Sequence, residues 1–300
     1  MSETPAHRFE FVSGPTQLGK FLNSLYVLHV GEDGLEEMLP AYSGQMLIVA
    51  EGGGAMDFGR GQERAPEDAF FIGPLSAASR FLIEGPALIL GASFNFHGWA
   101  AIPGLPVAQS SDRFIEIAEA FGEKGGAAAA KIAQRVRAKS LSKDRALDQI
   151  GALLGEFAQP LAHSHAELIE RTYAWLSSSL NPPTEGLYEA LALSNRQAQR
   201  LVKRFFGLPP SRLKRRFRAI RAATLLADRP YDLATRDEVI DAFYDQAHMI
   251  REIREFTGRT PKLLSDIDGS VISQTLGPKG YGVVGLFGGS EEEQLASGTD

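Results

Sequence analysis

LSNRQAQRLVKRFFG, Leu193 to Gly207, carries two stripes of residues at helical spacing. Ala198, Leu201, Val202 and Phe205 recur at i, i+3, i+4 and i+7, the pattern of a buried helix face. Arg196, Gln199, Arg200 and Lys203 recur at the same intervals on the opposite face, with no acid among them, and Arg204 adds a further cation. Ser194 stands where an N-cap belongs, with Gln197 three residues later as its capping-box partner. Arginine pairs bidentately with guanine and glutamine with adenine, while lysine meets phosphate as a point charge. The face therefore predicts contact with DNA, and the competing reading is an ordinary solvated surface helix.

The flanking sequence bears on that choice. Ser164-x-x-Glu167 has capping-box spacing and opens a predicted helix with Ile169, Tyr173, Leu176 and Leu180 on its apolar face. Asn181-Pro182-Pro183 stops it, and Thr184 to Leu191 reads as a short helix before the turn at Leu193-Ser194. A short helix, a tight turn and a helix with a basic face make a helix-turn-helix, whose second helix enters the major groove. Downstream, PPSRLKRRFRAIRAATLLADRP reads as one long helix with Leu213, Phe217 and Ile220 on one side. The first unit then returns. With Asp245 set equal to Ser194, a shift of 51 residues aligns Ala198 with Met249, Arg200 with Arg251 and Val202 with Ile253. The same shift aligns Phe205 with Phe256, Gly207 with Gly258 and Pro210 with Pro261. Two copies of one reading unit, joined by a rigid connector, could address one face of a duplex about one turn of ~10 bp apart.

These residues carry a resemblance. Positions 165–265 resemble the DNA-binding domain of AraC-type (arabinose-regulator family) transcription factors, most specifically in FYDQAHMIREIREFTGRTP, with its F-Y-D-Q-x-H opening and G-x-T-P ending. The resemblance covers about a third of the chain. It implies two helix-turn-helix motifs set in adjacent major grooves, with base contacts from early positions of each reading helix. Here those are Asn195, Arg196, Gln199 and Arg200, with Lys203 and Arg204 behind them, then Gln246, Ala247, His248, Ile250 and Arg251. Three departures bear on that: Ala192 and Ala242 stand where the family usually has glycine, TRDEVIDA before the second reader is acidic, and Ala247 replaces Arg196. The first reader is expected to carry most of the affinity.

The first hundred residues read as short strands: FEFV, LYVLHV, MLIVAEG, AFFIG, RFLIEG and ALILGASFNF, separated by Gly and Pro clusters. Evenly spaced strands of this kind suggest a β-barrel or sandwich, and the resemblance implies a cupin-like barrel that senses a small molecule or dimerises. EGGGAMDFG precedes another strand and not a helix, so it reads as a hairpin turn, not a phosphate loop. The expected fold is α+β in two domains, divided as 1–110 (β-rich, cupin-like), 111–160 (helical linker or dimerisation region), 161–265 (DNA-binding) and 266–300 (flexible tail). Arg80, Phe94, Phe96, His97 and Trp99 are candidate ligand-pocket residues; equally, such residues make a barrel core or a dimer interface. No metal site is expected, because His7, His29 and His97 lie far apart without a His-x-His pair, and His163 and His165 fall at a helix start.

Bulk properties set limits. The 300 residues are 44% apolar and 23% charged, and contain no cysteine, which removes disulfides and thiolate metal sites. No apolar run approaches the ~20 residues of a membrane span, and MSETPAHRFEFV has no secretory pattern; a cytoplasmic protein is expected. The net charge is −6, yet Arg196 to Arg229 holds eleven basic residues against Asp228 alone, leaving −16 elsewhere. The expected partners are double-stranded DNA, a second copy of the chain, a small-molecule effector and, for an activator, RNA polymerase. No cofactor and no catalytic set is expected. The readings from other classes are an enzyme on the barrel and an interaction partner of another regulator.

Overall fold

The computed structural model describes residues 7–12, 16–227, 233–264 and 271–276. Eight antiparallel strands come first: β1 His7–Val12, β2 Leu22–Val30, β3 Leu35–Leu39, β4 Gln45–Asp57, β5 Gln62–Arg64, β6 Ala69–Ile72, β7 Ser79–Phe94 and β8 Phe114–Glu116. Helices α1 Phe96–Ala101 and α2 Val107–Ser110 lie between β7 and β8, followed by α3 Ile117–Arg137 and α4 Lys143–Phe157. The helical half comprises α5 His163–Ser177, α6 Thr184–Leu191, α7 Asn195–Phe206, α8 Pro210–Ala227, α9 Leu233–Asp241, α10 Gln246–Thr257 and α11 Pro261–Leu264. Helix α12, Val271–Leu276, ends the described chain.

The sheet runs β1-β2-β7-β4-β6-β8, with β3 added on β7 and β5 on β4. No ladder joins β1 to β8 among the described residues, so the sheet is open and the expected closed barrel is corrected to a curved sheet. Its curvature comes from β4. EGGG is not a hairpin turn: Glu51 to Gly54 lie inside β4, where the pairing with β7 slips between Val49, Glu51 and Gly53. Gly52 has φ 82°, and a Cβ there would press on the Glu84 carbonyl and Ala87. An extra residue and a left-handed glycine bend a strand, which is the role of a bulge. The chain reverses later, at Gly59 and Gly61, both with positive φ. RFLIEG and ALILGASFNF are one strand, β7, because Pro86 falls opposite the slipped segment, where no ladder bond is lost.

The helix expected from SDRFIEIAEAFG begins only at Ile117, since Phe114–Glu116 pairs with β6 as an edge strand. Helix α3 turns at Gly122 (φ 66°) and lays Ala129, Ile132, Ala133 and Val136 on the sheet beside α4. Each half thus buries an apolar face, and the two faces meet. Phe96 from α1 packs at a tilt 4.8 Å from Phe206 of α7 and 6.4 Å from Tyr173 of α5, and Tyr42 lies 6.3 Å from Phe217 of α8. Rings of this size dominate interface burial.

The flexible tail expected over 266–300 falls mostly outside the described residues, as does its VVGLF segment. Val271–Leu276 is nevertheless a helix with Val271 buried, packed against β3 and α8.

Candidate nucleic-acid interface and internal cavity

Helix α7 is defined at both ends by its own sequence. Ser194 Oγ accepts from the Gln197 amide and Gln197 Oε1 accepts from the Ser194 amide, closing the capping box. Gly207 ends the helix with φ 79°. Ala198, Val202, Phe205 and Phe206 are buried, while Asn195, Arg196, Gln199, Arg200, Lys203 and Arg204 are exposed. Among the described residues no carboxylate pairs with Arg196, Arg200 or Lys203; Gln199 donates to the Tyr188 hydroxyl at 3.2 Å, and Arg204 lies over the Phe205 ring. Ala192 takes the left-handed turn conformation before α7, φ 51° and ψ 37°.

Helix α10 repeats the plan. It has the same length of 12 residues, Asp245 accepts from the His248 amide at 2.6 Å, and Gly258 ends it with φ 78°. Pro210 and Pro261 open the helices that follow. Its outer face differs. Gln246, Ala247 and Arg251 are exposed and Ile250 half-buried, but His248 Nε2 lies 3.1 Å from buried Glu252. Glu252 also accepts from Arg215 at 2.5 Å and from Arg218 at 2.6 and 3.0 Å. Glu255 accepts from Arg212 at 3.1 Å and Arg215 at 3.3 Å. The arginines of α8, counted in sequence as one basic field with α7, are thus largely spent inside the molecule. Arg216 is fully buried over Phe96 and Phe217, 5.1 and 5.6 Å from the ring centres, and desolvation brings its guanidinium down to about 10. Among the described residues, the exposed cations of α7 (Arg196, Arg200 and Lys203) are joined on α10 by Arg251 and Arg254. Ser164 caps nothing: α5 starts at His163, and Glu167 pairs with Arg171 instead.

Both α7 and α10 end against the strand-rich half. Added to Gly258, a Cβ would press on the Met38 side chain; added to Gly207, it would press on Val107. The Ala41 and Ala78 amides donate to the Phe256 and Glu255 carbonyls at 2.8 and 2.9 Å, and Arg259 pairs with Glu37 at 2.5 Å.

The curved sheet holds a cavity of about 350 Å³. Arg80, Phe94, Phe96, His97 and Trp99 are not among the residues that line it. Arg80 lies exposed on Glu36. Phe94 sits on the same sheet face as Leu90 and Ala92, whereas Ile89 meets the cavity. Phe94, Phe96 and Trp99 are fully buried, Trp99 donating to the Leu105 carbonyl at 3.0 Å. His97 is half-buried against Phe21, and burial followed by the nearby Lys20 charge lowers its pKa. The cavity is walled by Phe9, Phe11, Tyr26, Phe70, Phe81 and Phe114, with Val271 and Thr275 of α12 on one side. These aromatics alternate with outward residues, as in FEF, a signal available in the sequence that marks a filled core equally well. Among the described residues no cluster of three or more His, Asp or Glu could hold a metal, and no helix is long and apolar enough to cross a membrane.

No protein-family model matches the chain, and no curated protein does. Among solved structures it is similar to unsaturated fatty acid bound ToxT from Vibrio cholerae strain SCE256, at 8% identity over 86% of this chain and 99% of that one, TM-score 0.46. The AraC-like transcriptional activator CuxR matches at 12% identity over 66% and 80% of the two chains, TM-score 0.29. KdgF from Halomonas sp. matches at 14% identity over 31% of this chain and 84% of its own, TM-score 0.24. At these identities and TM-scores the likeness specifies neither activity nor ligand.

Proposed function

We propose that the chain is a sequence-specific transcriptional regulator of AraC type, which reads DNA with α7 and, more weakly, α10. The observation that carries this is the exposed row Arg196, Gln199, Arg200 and Lys203, which pairs with no carboxylate among the described residues, on the second helix of a helix-turn-helix capped at both ends. Guanidinium and amide groups placed so can reach base edges, and the lysine a phosphate. Helix α10 offers less, because Ala247 has no hydrogen-bonding group and His248 is engaged by Glu252. The strand-rich half receives a small effector in its cavity and pairs with a second copy of the chain. An effector works here by favouring one arrangement of reading helices over another. The protein acts in the cytoplasm, performs no catalysis, and touches RNA polymerase where it activates.

The test is to expose the full-length protein to sheared genomic fragments of its source organism at near-physiological salt and to sequence those retained. A shared site of two short blocks about one helical turn apart is expected, the stronger block belonging to α7. Changing Arg196→Ala and Arg200→Ala together should weaken retention at that site by about thirtyfold or more. Retention with no common sequence, vanishing as salt rises, would reduce the interaction to backbone attraction and refute the reading.

A further inference from the structure

We infer that the cavity in the curved sheet takes an uncharged, largely apolar and aromatic-sized molecule whose single O–H or N–H group donates to the Tyr26 hydroxyl. The inference rests on the strand-rich half being the effector-binding part. At the ~30 Å³ that water occupies per oxygen in the liquid, a cavity of about 350 Å³ has room for about a dozen non-hydrogen atoms.

Six aromatic rings stand in its walls among aliphatic side chains such as Leu28, Leu47 and Ile89. Phe9 and Phe11 project from the same face of β1 and stack 5.6 Å apart, and Phe70 meets Phe114 edge-on at 5.2 Å. A flat apolar molecule gains contact area here, whereas an ion would shed its water against hydrocarbon.

The polar group is built in. Tyr26 on β2 stands opposite Gly91 on β7, and any Cβ at Gly91 would run into the phenol ring. The glycine thus makes the space in which that ring lies. Tyr26 donates its proton to Gln45 Oε1, which leaves lone pairs on the hydroxyl oxygen and makes it an acceptor toward the cavity. Burial raises the phenol pKa well above its ordinary value, so the group stays protonated and neutral.

Both guanidiniums at the cavity already hold carboxylate partners. Arg137 donates to Asp68 at 2.8 Å and to the Val49 and Ala50 carbonyls at 3.1 and 3.0 Å. Arg64 makes a two-point pair with Glu84 at 2.8 and 3.1 Å. Glu51 and Glu67 add further carboxylates to the lining. An incoming carboxylate meets excess negative charge and two guanidiniums that already hold partners.

The test compares 2-naphthol, 2-naphthoate and naphthalene at pH 7, where the naphthol is neutral and the naphthoate ionised. Binding to the full-length protein without DNA is followed by calorimetry. The expected result is 2-naphthol binding about tenfold or more tightly than 2-naphthoate. Tyr26→Phe should cost 2-naphthol about tenfold through the lost hydrogen bond and leave naphthalene unchanged. Equal or tighter binding of 2-naphthoate, no binding of either, or a Tyr26→Phe protein that keeps full 2-naphthol affinity overturns the inference. Should the Tyr26→Phe protein not fold, the comparison between probes on the unaltered protein decides alone. Because DNA is absent, the two readings separate. Selective DNA retention with no naphthol binding overturns this inference alone. Naphthol binding by a protein that retains no common DNA site supports it and overturns the regulator.

Discussion

Ala192 holds a left-handed backbone at the turn into α7, where a Cβ crowds the following carbonyl. Ala192→Gly should relieve that crowding by more than the added freedom of the unfolded chain costs, for a net gain of about 0.5 kcal/mol. Thermal melting of the two proteins measures it, and an unchanged or lower midpoint would show that the turn carries no strain. The sequence flagged this position, because alanine stood where a glycine was expected. It did not distinguish Ala192 from Ala242, which is buried and lacks a positive φ. Pocket residues were less legible. Tyr26 and Phe94 are both aromatics in strands, and only the register, Tyr26 against Gly91, tells which one meets the cavity.

At the scale of elements, charge along a helix does not tell where the charge goes. The α8 arginines read in sequence as an extension of the α7 field, yet three of them, Arg212, Arg215 and Arg218, pair with Glu252 and Glu255 of α10. Those acids lie more than thirty residues away, beyond any local spacing rule. Glu252→Ala would leave Arg218 buried without its carboxylate and should cost about 3–5 kcal/mol. A denaturant midpoint lowered to match is the expected readout; a loss within the range of a surface substitution would mean that Arg218 finds other partners. Helices α6, α7 and α10 were legible because caps and apolar spacing are local. The bulge in β4 was not, since a glycine run suits a turn and a bend alike, and only the partner strand decides.

For the whole molecule, the junction between the halves centres on Arg216. Its guanidinium lies on two phenylalanine rings, with the Leu75 and Phe206 carbonyls at 3.3 and 3.5 Å and no carboxylate partner among the described residues. A cation buried on those terms loses more hydration than it regains. Arg216→Met keeps the volume, removes the charge and should raise stability by about 1 kcal/mol. A melting midpoint that falls instead would show that the two carbonyl bonds and ring contacts outweigh desolvation. The passage from strands to helices was legible from the change of periodicity; the aromatic core they share was not, because no spacing links Tyr42 to Phe217.

One wall of the cavity, Val271 and Thr275, is made from chain that follows both α7 and α10. Translation proceeds in the opposite sense to that dependence. The last strand, β8, is made 160 residues before α12 is complete, a lag of roughly 10–30 s at ordinary elongation rates. During that interval a nascent chain has its sheet but not its finished pocket. A molecule bound in the finished pocket would therefore certify, by its presence, that α7 and α10 have already been synthesised.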